Sequence, residues 1–160
     1  MKKRFIACLM AFVLFTMCVC PINGVDAWAV EANESKIIYF DDGSYIEISG
    51  VRQIDNTSRA AQTKIGEKDI TYTASNGDVE WQYTLTGYFS YDPGVSSTCT
   101  YATYSNNISN TNWSFSDGAA TRSGNTAYGD GLYIKKVLFV KVKEYIVDIS
   151  ISCDSYGNLS

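Results

Sequence analysis

Residues 79–91 read VEWQYTLTGYFSY, and they alternate without interruption. Val79, Trp81, Tyr83, Leu85, Gly87, Phe89 and Tyr91 share one parity. Glu80, Gln82, Thr84, Thr86, Tyr88 and Ser90 take the other. A strand sends successive side chains to opposite faces, so this pattern predicts a long, half-buried β-strand with its aromatic side inward. The same rule puts Glu80 and Tyr88 on the solvent side.

Working outward, the preceding Ser75-Asn76-Gly77-Asp78 is the clearest turn in the chain. Asn-Gly accepts the positive φ of a tight hairpin, so Lys68–Ser75 (KDITYTAS) is expected to fold back onto the long strand. On the other side, Asp92-Pro93-Gly94 ends the strand, because proline cannot donate to a ladder and presets a turn. Ser96–Ser105 (SSTCTYATYS) then reads as a third strand. Trp113–Ser116 and Ala119–Arg122 are short β-prone runs broken at Asp117-Gly118. Thr126–Lys136 holds Gly129 and Gly131, which mark a bulged strand. Val137–Val142 leads into Glu144–Cys153, where Tyr145, Val147, Ile149, Ile151 and Cys153 share a parity.

Upstream, Ile37–Phe40 and Tyr45–Ile48 flank Asp41-Asp42-Gly43, a hairpin signal of the same kind. Gly50–Gly66 lacks periodicity and reads as a linker. No run at i, i+3, i+4 spacing follows the N-terminal segment. Strands recur at roughly the spacing of a sandwich or barrel. The expectation is an all-β, antiparallel β-sandwich over residues 67–160, preceded by an N-terminal hairpin and linker over 30–66.

The first residues read as an export signal. Lys2, Lys3 and Arg4 precede the apolar run Phe5–Cys20, and Ala27-Trp28-Ala29 supplies small residues at the positions a signal peptidase needs. The run is shorter than the roughly 20 residues of a spanning helix. Cleavage is expected between Ala29 and Val30, making 1–29 a cleaved signal peptide and the product secreted, with the membrane met only during export. Export of this chain leaves 10 basic and 16 acidic residues. An acidic chain without a basic block argues against binding nucleic acid or an anionic surface through net charge. Cys99 and Cys153 remain after cleavage, and two cysteines in an exported chain are expected to form a disulfide.

Catalytic signals are sparse. The chain has no histidine, which removes histidine-based triads and histidine metal ligands. No phosphate-cradling glycine loop and no nucleophile elbow is present. No cofactor or metal is expected. Paired carboxylates are the remaining enzymatic option, with Asp78, Glu80, Asp117, Asp130, Glu144 and Asp148 as candidates for a small hydrolase. Alternation puts Glu80 and Asp148 on solvent faces, so a non-enzymatic role is the leading expectation. Aromatic residues are the unusual feature: Tyr88, Tyr104 and Trp113 are the candidate binding residues, because exposed tyrosine and tryptophan add contact area at low entropic cost.

Several stretches together carry a family likeness: Tyr39–Tyr45 (YFDDGSY), Gly77–Cys99 (GDVEWQYTLTGYFSYDPGVSSTC), Ser123–Ala127 (SGNTA) and Cys153–Ser160 (CDSYGNLS). With them the chain resembles small secreted β-rich proteins of Gram-positive bacteria, a family of unknown function. That resemblance implies a β fold and an extracellular location and transfers no catalytic residue. In size, export and Trp/Tyr-rich strands the chain is also similar to lactococcin-972-type bacteriocins, although it is longer and carries cysteines. The expected role is binding of a protein or glycan outside the cell. A bacteriocin-like, membrane-active toxin is the alternative.

Overall fold

The computed structural model describes residues 34–54 and 62–160. The expected signal segment with its expected cleavage site at Ala29 and Val30, and residues 55–61 of the expected linker, lie outside the described residues. Within them the chain forms two antiparallel sheets. The first sheet contains β1 (Lys36–Tyr39), β2 (Tyr45–Ile48), β3 (Arg52–Ile54), β4 (Thr63–Thr73), β5 (Val79–Asp92) and β6 (Ser96–Ile108). Its order is β1-β2-β4-β5-β6, with β3 also on β4. The second sheet is β7 (Trp113–Ser123), β8 (Thr126–Val137) and β9 (Val140–Ser152), in that order.

The all-β antiparallel expectation holds, and β5 lies between β4 and the edge strand β6 in the first sheet. Gly77 adopts φ 90°, the conformation its turn requires. The β4–β5 hairpin follows, with Ile70 opposite Tyr83 and Lys68 opposite Leu85. From Trp81 to Phe89 the odd positions of β5 are buried and the even positions are half-exposed. Their side chains meet Trp113, Ala127, Tyr133, Val147, Ile149 and Ile151 from the second sheet in one core. Trp81 is held between the rings of Tyr72 and Tyr133, at centroid separations of 5.7 and 3.8 Å and near-parallel planes. Each such side chain contributes about 1.5–3 kcal/mol through apolar burial, and each well-placed ring pair about 0.5–1.5 kcal/mol beyond it. Hydrogen bonds also cross the core: the Tyr133 hydroxyl donates to the Gln82 carbonyl at 3.1 Å, and the Tyr83 hydroxyl to Ala119 at 3.2 Å.

The sequence leaves open whether the N-terminal hairpin packs on the main sheet or sits apart; in the structure it is part of the first sheet, since β2 pairs with β4 from Ile48↔Ile70 to Tyr45↔Thr73. Three local readings change. Part of the supposed linker is strand: β3 pairs with β4 next to it, and β4 itself begins at Thr63. The two runs around Asp117-Gly118 are one strand, β7, with a register shift between Ser116 and Ala119 and Asp117 at φ 53°. The extra residue lies in β7 rather than in β8: Asp117 and Gly118 stand against Gly131, while Gly129 and Gly131 keep regular register with β9. They are small because aromatic rings approach closely, Tyr83 from the facing sheet and Phe115 from the neighbouring strand. A Cβ on Gly129 would stand 2.8 Å from the Tyr83 hydroxyl oxygen, and one on Gly131 2.5 Å from the Phe115 ring.

The largest departure is at Val137–Val142. This run is split between two strands by a turn at Leu138-Phe139, with Val137 opposite Val140. Both central residues have positive φ, 49° and 68°. That backbone belongs to a two-residue hairpin turn, which normally carries Asn-Gly or another small pair. For a bulky L-residue the left-handed region costs roughly 1–2 kcal/mol.

Candidate functional site

The aromatic residues singled out from the sequence separate in space. Trp113 is buried, 4% exposed, so it offers no ring face to solvent. Its indole N–H donates to Glu80 Oε2 at 2.6 Å. Tyr104 belongs to the edge of the core, stacked on Tyr83 with ring centroids 5.4 Å apart. Its parity relative to Cys99 is inverted by an extra residue in β6: Tyr88 pairs with Tyr101 and Phe89 with Cys99, leaving Thr100 unpaired. A bulge flips every side chain beyond it to the other face. Tyr88 alone of the three stands on the outer face, as alternation requires.

On that face Tyr88 is one member of a row. The registers run Ile54↔Ile65, Ile65↔Tyr88 and Tyr88↔Tyr101, so four apolar or aromatic side chains cross β3, β4, β5 and β6 in line. The Tyr88 and Tyr101 ring centroids are 5.5 Å apart, and Tyr101 is 58% exposed. Polar side chains border the row on both sides. Thr63, Ser90 and Thr98 are in register along one side. Arg52, Glu67, Thr86 and Thr103 are in register along the other. Arg52 bonds Glu67 at 2.6 Å, and the Thr84 hydroxyl donates to Asp69 at 2.6 Å. The result is an aromatic strip flanked by hydroxyls, carboxylates and a guanidinium.

Glu80 is the clearest correction among the carboxylates. It was expected in solvent and is 6% exposed. Tyr72 pairs with Trp81 and Thr73 with Val79, so Glu80 is the extra residue of a bulge at the start of β5. The bulge turns its side chain inward and leaves Val79 half-exposed. Lys135 reaches both carboxylate oxygens, at 3.0 and 2.8 Å, and Asn110 donates to Oε1 at 2.7 Å. Desolvation pushes the Glu80 carboxyl up, but the hydrogen bonds from Lys135, Trp113 and Asn110 outweigh it and hold the group below its ordinary range. The network is a fully bonded clamp between the sheets, with no free oxygen for proton transfer to a ligand.

Asp148 is exposed, as alternation implies. It pairs across strands with Asp130, and with Asp117 and Glu144 the two line one recess on the outer face of the second sheet. Among the described residues no group of three acids or thiols is placed to hold a metal ion. Asp78 is taken up by the turn, where its backbone N–H donates to Asn76 Oδ1 at 3.1 Å.

The disulfide expectation is overturned: Cys99 and Cys153 are free, buried thiols. The β7–β8 turn links their strands instead. Cys99 N–H donates to Gly124 O at 2.8 Å and Cys153 N–H to Asn125 O at 3.1 Å. The Asn125 side chain donates back to Cys153 O at 2.7 Å, and Arg122 to Cys99 O at 2.9 Å. Burial pushes both thiols up, Cys153 to about 11, which makes them poor nucleophiles at neutral pH.

Sequence reasoning missed the hairpin tip between β8 and β9. Leu138 and Phe139 are 88% and 99% exposed there. Its base is tied to the first sheet on both strands. Lys135 bonds Glu80, while Lys143 donates to Asp42 at 3.1 Å, Ser44 at 2.8 Å and Tyr72 at 3.1 Å. A mirrored sequence signal was present: Lys-Lys-Val, then Leu-Phe, then Val-Lys-Val-Lys over residues 135–143.

Compared with protein-family models, with curated proteins and with solved structures, the chain finds no match.

Proposed function

We propose that this chain is an exported, non-enzymatic binding protein whose ligand surface is the outer face of the first sheet, and that the ligand is a glycan. The observation that carries this reading is the Ile54–Ile65–Tyr88–Tyr101 row with its polar borders. A sugar ring presents a face of C–H groups that packs on an aromatic ring, while its hydroxyls need donors and acceptors on either side. Tyr101 supplies the exposed ring. Thr86, Thr103, Glu67 and Arg52 supply hydrogen-bonding groups at the same level. A protein partner fits less well, because a stable protein interface needs about 800 Å² per side with a dry apolar centre, and this strip is one side chain wide. Export rests on the N-terminal basic and apolar segments and on the likeness to secreted Gram-positive proteins.

The test is a glycan array probed with the exported chain, followed by titration of the best ligand with Tyr101→Ala and Tyr88→Ala. The expected result is roughly tenfold weaker binding in each variant with the far-ultraviolet circular dichroism unchanged. A chain that binds no glycan, or variants that bind as wild type, would refute the reading.

A further inference from the structure

The β8–β9 tip combines three features that its role as a turn does not require. The first is exposure. Val137, Leu138, Phe139, Val140 and Val142 are 45%, 88%, 99%, 63% and 55% exposed, five apolar side chains contiguous around one turn. The second is backbone. Leu138 and Phe139 occupy left-handed conformations at φ 49° and 68°, where asparagine and glycine are favoured. Nothing in the turn geometry asks for these two residues, so their presence points to a use for their side chains. The third is charge. Lys135 pairs across the strands with Lys143 and Lys136 with Lys141, two successive like-charge pairs, which repel. The charges of Lys135 and Lys143 are answered at the base of the hairpin by Glu80 and Asp42, and Lys141 meets Glu144 at 2.7 Å. Among the described residues no ion pair joins Lys136 to an acid. Residues 135–143 hold four lysines and no acid, in a chain whose formal net charge is −4.

We propose that this tip is a docking finger for an anionic lipid bilayer. Leu138, Phe139 and Val140 enter the boundary between headgroups and acyl chains, and Lys136 and Lys141 meet lipid phosphates. An interface of that kind accepts apolar side chains and ammonium groups a few ångströms apart, which is the arrangement at the tip. Charge complementarity selects the anionic surface over a neutral one. The whole-chain charge argued against such a surface, but the positive charge is concentrated where the apolar side chains project. The finger lies apart from the outer face of the first sheet, and the inference does not depend on a glycan ligand.

The experiment is co-sedimentation of the purified exported chain with vesicles of phosphatidylcholine mixed with phosphatidylglycerol, and with pure phosphatidylcholine. Binding is expected to the mixed vesicles only, and to weaken as salt is raised. The double variant L138N/F139G places the favoured turn residues at the tip. It is expected to fold at least as well as wild type and to bind the mixed vesicles roughly tenfold more weakly. Charge reversal in K136E/K141E is expected to abolish the preference for phosphatidylglycerol. In a Phe139→Trp variant the new indole emission is expected to shift to the blue with the mixed vesicles. Absence of binding by wild type, equal binding by L138N/F139G, or equal binding to neutral vesicles would overturn the proposal. So would a soluble oligomer that dissociates in L138N/F139G and ignores vesicles, since the tip would then belong to a second copy of the chain.

Discussion

The β4–β5 and β8–β9 hairpins both reverse the chain through left-handed backbone, one residue at the first turn and two at the second, with opposite sequences. At Asn76-Gly77 the residues suit the backbone: Gly77 takes φ 90°, and Asn76 bonds the Asp78 N–H and carboxylate at 3.1 and 2.7 Å. At Leu138-Phe139 the residues oppose it, with large apolar side chains on left-handed backbone and no polar bond from their side chains. The two turns are also joined: Glu80 lies just after the first, Lys135 just before the second, and they form an ion pair at 2.8 Å. A turn built for local stability thus anchors one that spends stability on exposed side chains. Where local rules are obeyed the sequence explains the structure. Where they are broken, the broken position calls for a functional explanation.

The comparison can be broken hardest at the joint. Glu80→Gln keeps the side-chain shape but removes the charge facing Lys135 and turns an amide N–H₂ toward donors. It is expected to cost about 3–5 kcal/mol in urea denaturation, the loss typical of a buried pair with one partner removed. Next is the obedient turn. A Cβ at Gly77 meets nothing within 4 Å, so Gly77→Val adds only backbone strain. The expected cost is about 1–2 kcal/mol, read as a lower urea midpoint at unchanged slope. L138N/F139G acts with the reverse sign: in the absence of vesicles it should gain about 1 kcal/mol. A destabilised double variant would show that Leu138 and Phe139 serve the fold, and the contrast between the turns would collapse. The smallest effect lies at the second tie of the β8–β9 base. Bonds from the Ser44 hydroxyl and backbone N–H, then from Lys143, lower the Asp42 carboxyl from the usual 3.8 to about 2. Its folded-state value is depressed, so its contribution is complete above pH 3.8 and disappears as pH falls toward 2. Asp42→Asn is expected to flatten the stability profile in that window, measured by thermal melts against pH.

Much of the framework was legible because it rests on period and turn chemistry. The inward parity of Trp81 to Phe89, the Asn76-Gly77 reversal and the inward parity of Val147, Ile149 and Ile151 need only a strand and one buried face. Two of the errors share a cause. A one-residue bulge leaves the alternation of the sequence intact while inverting which face each side chain meets. Glu80 and Tyr104 were both misplaced in this way, by register shifts fixed by the partner strand. The Leu138-Phe139 turn was missed because neither residue is a turn former. The candidate surface was half visible. Tyr88 could be placed by parity, but Ile54, Ile65 and Tyr101 join it only through pairings between distant strands. The cysteines mislead for a similar reason, since the turn that bonds both of their backbones carries no such instruction in its sequence.

The stack of rings around Trp81 has an optical consequence. Trp81 belongs to the first sheet and Trp113 to the second, with their rings 5.8 Å apart at 73°. The strong indole transitions at that range and angle couple, so the pair should give a far-ultraviolet circular dichroism couplet that exists only while the layers are closed. Trp28 lies outside the described residues, and Trp81 and Trp113 are the only tryptophans among them. The protein therefore carries an intrinsic gauge of layer separation. That gauge can show whether a surface ligand leaves the sandwich shut or pries it open.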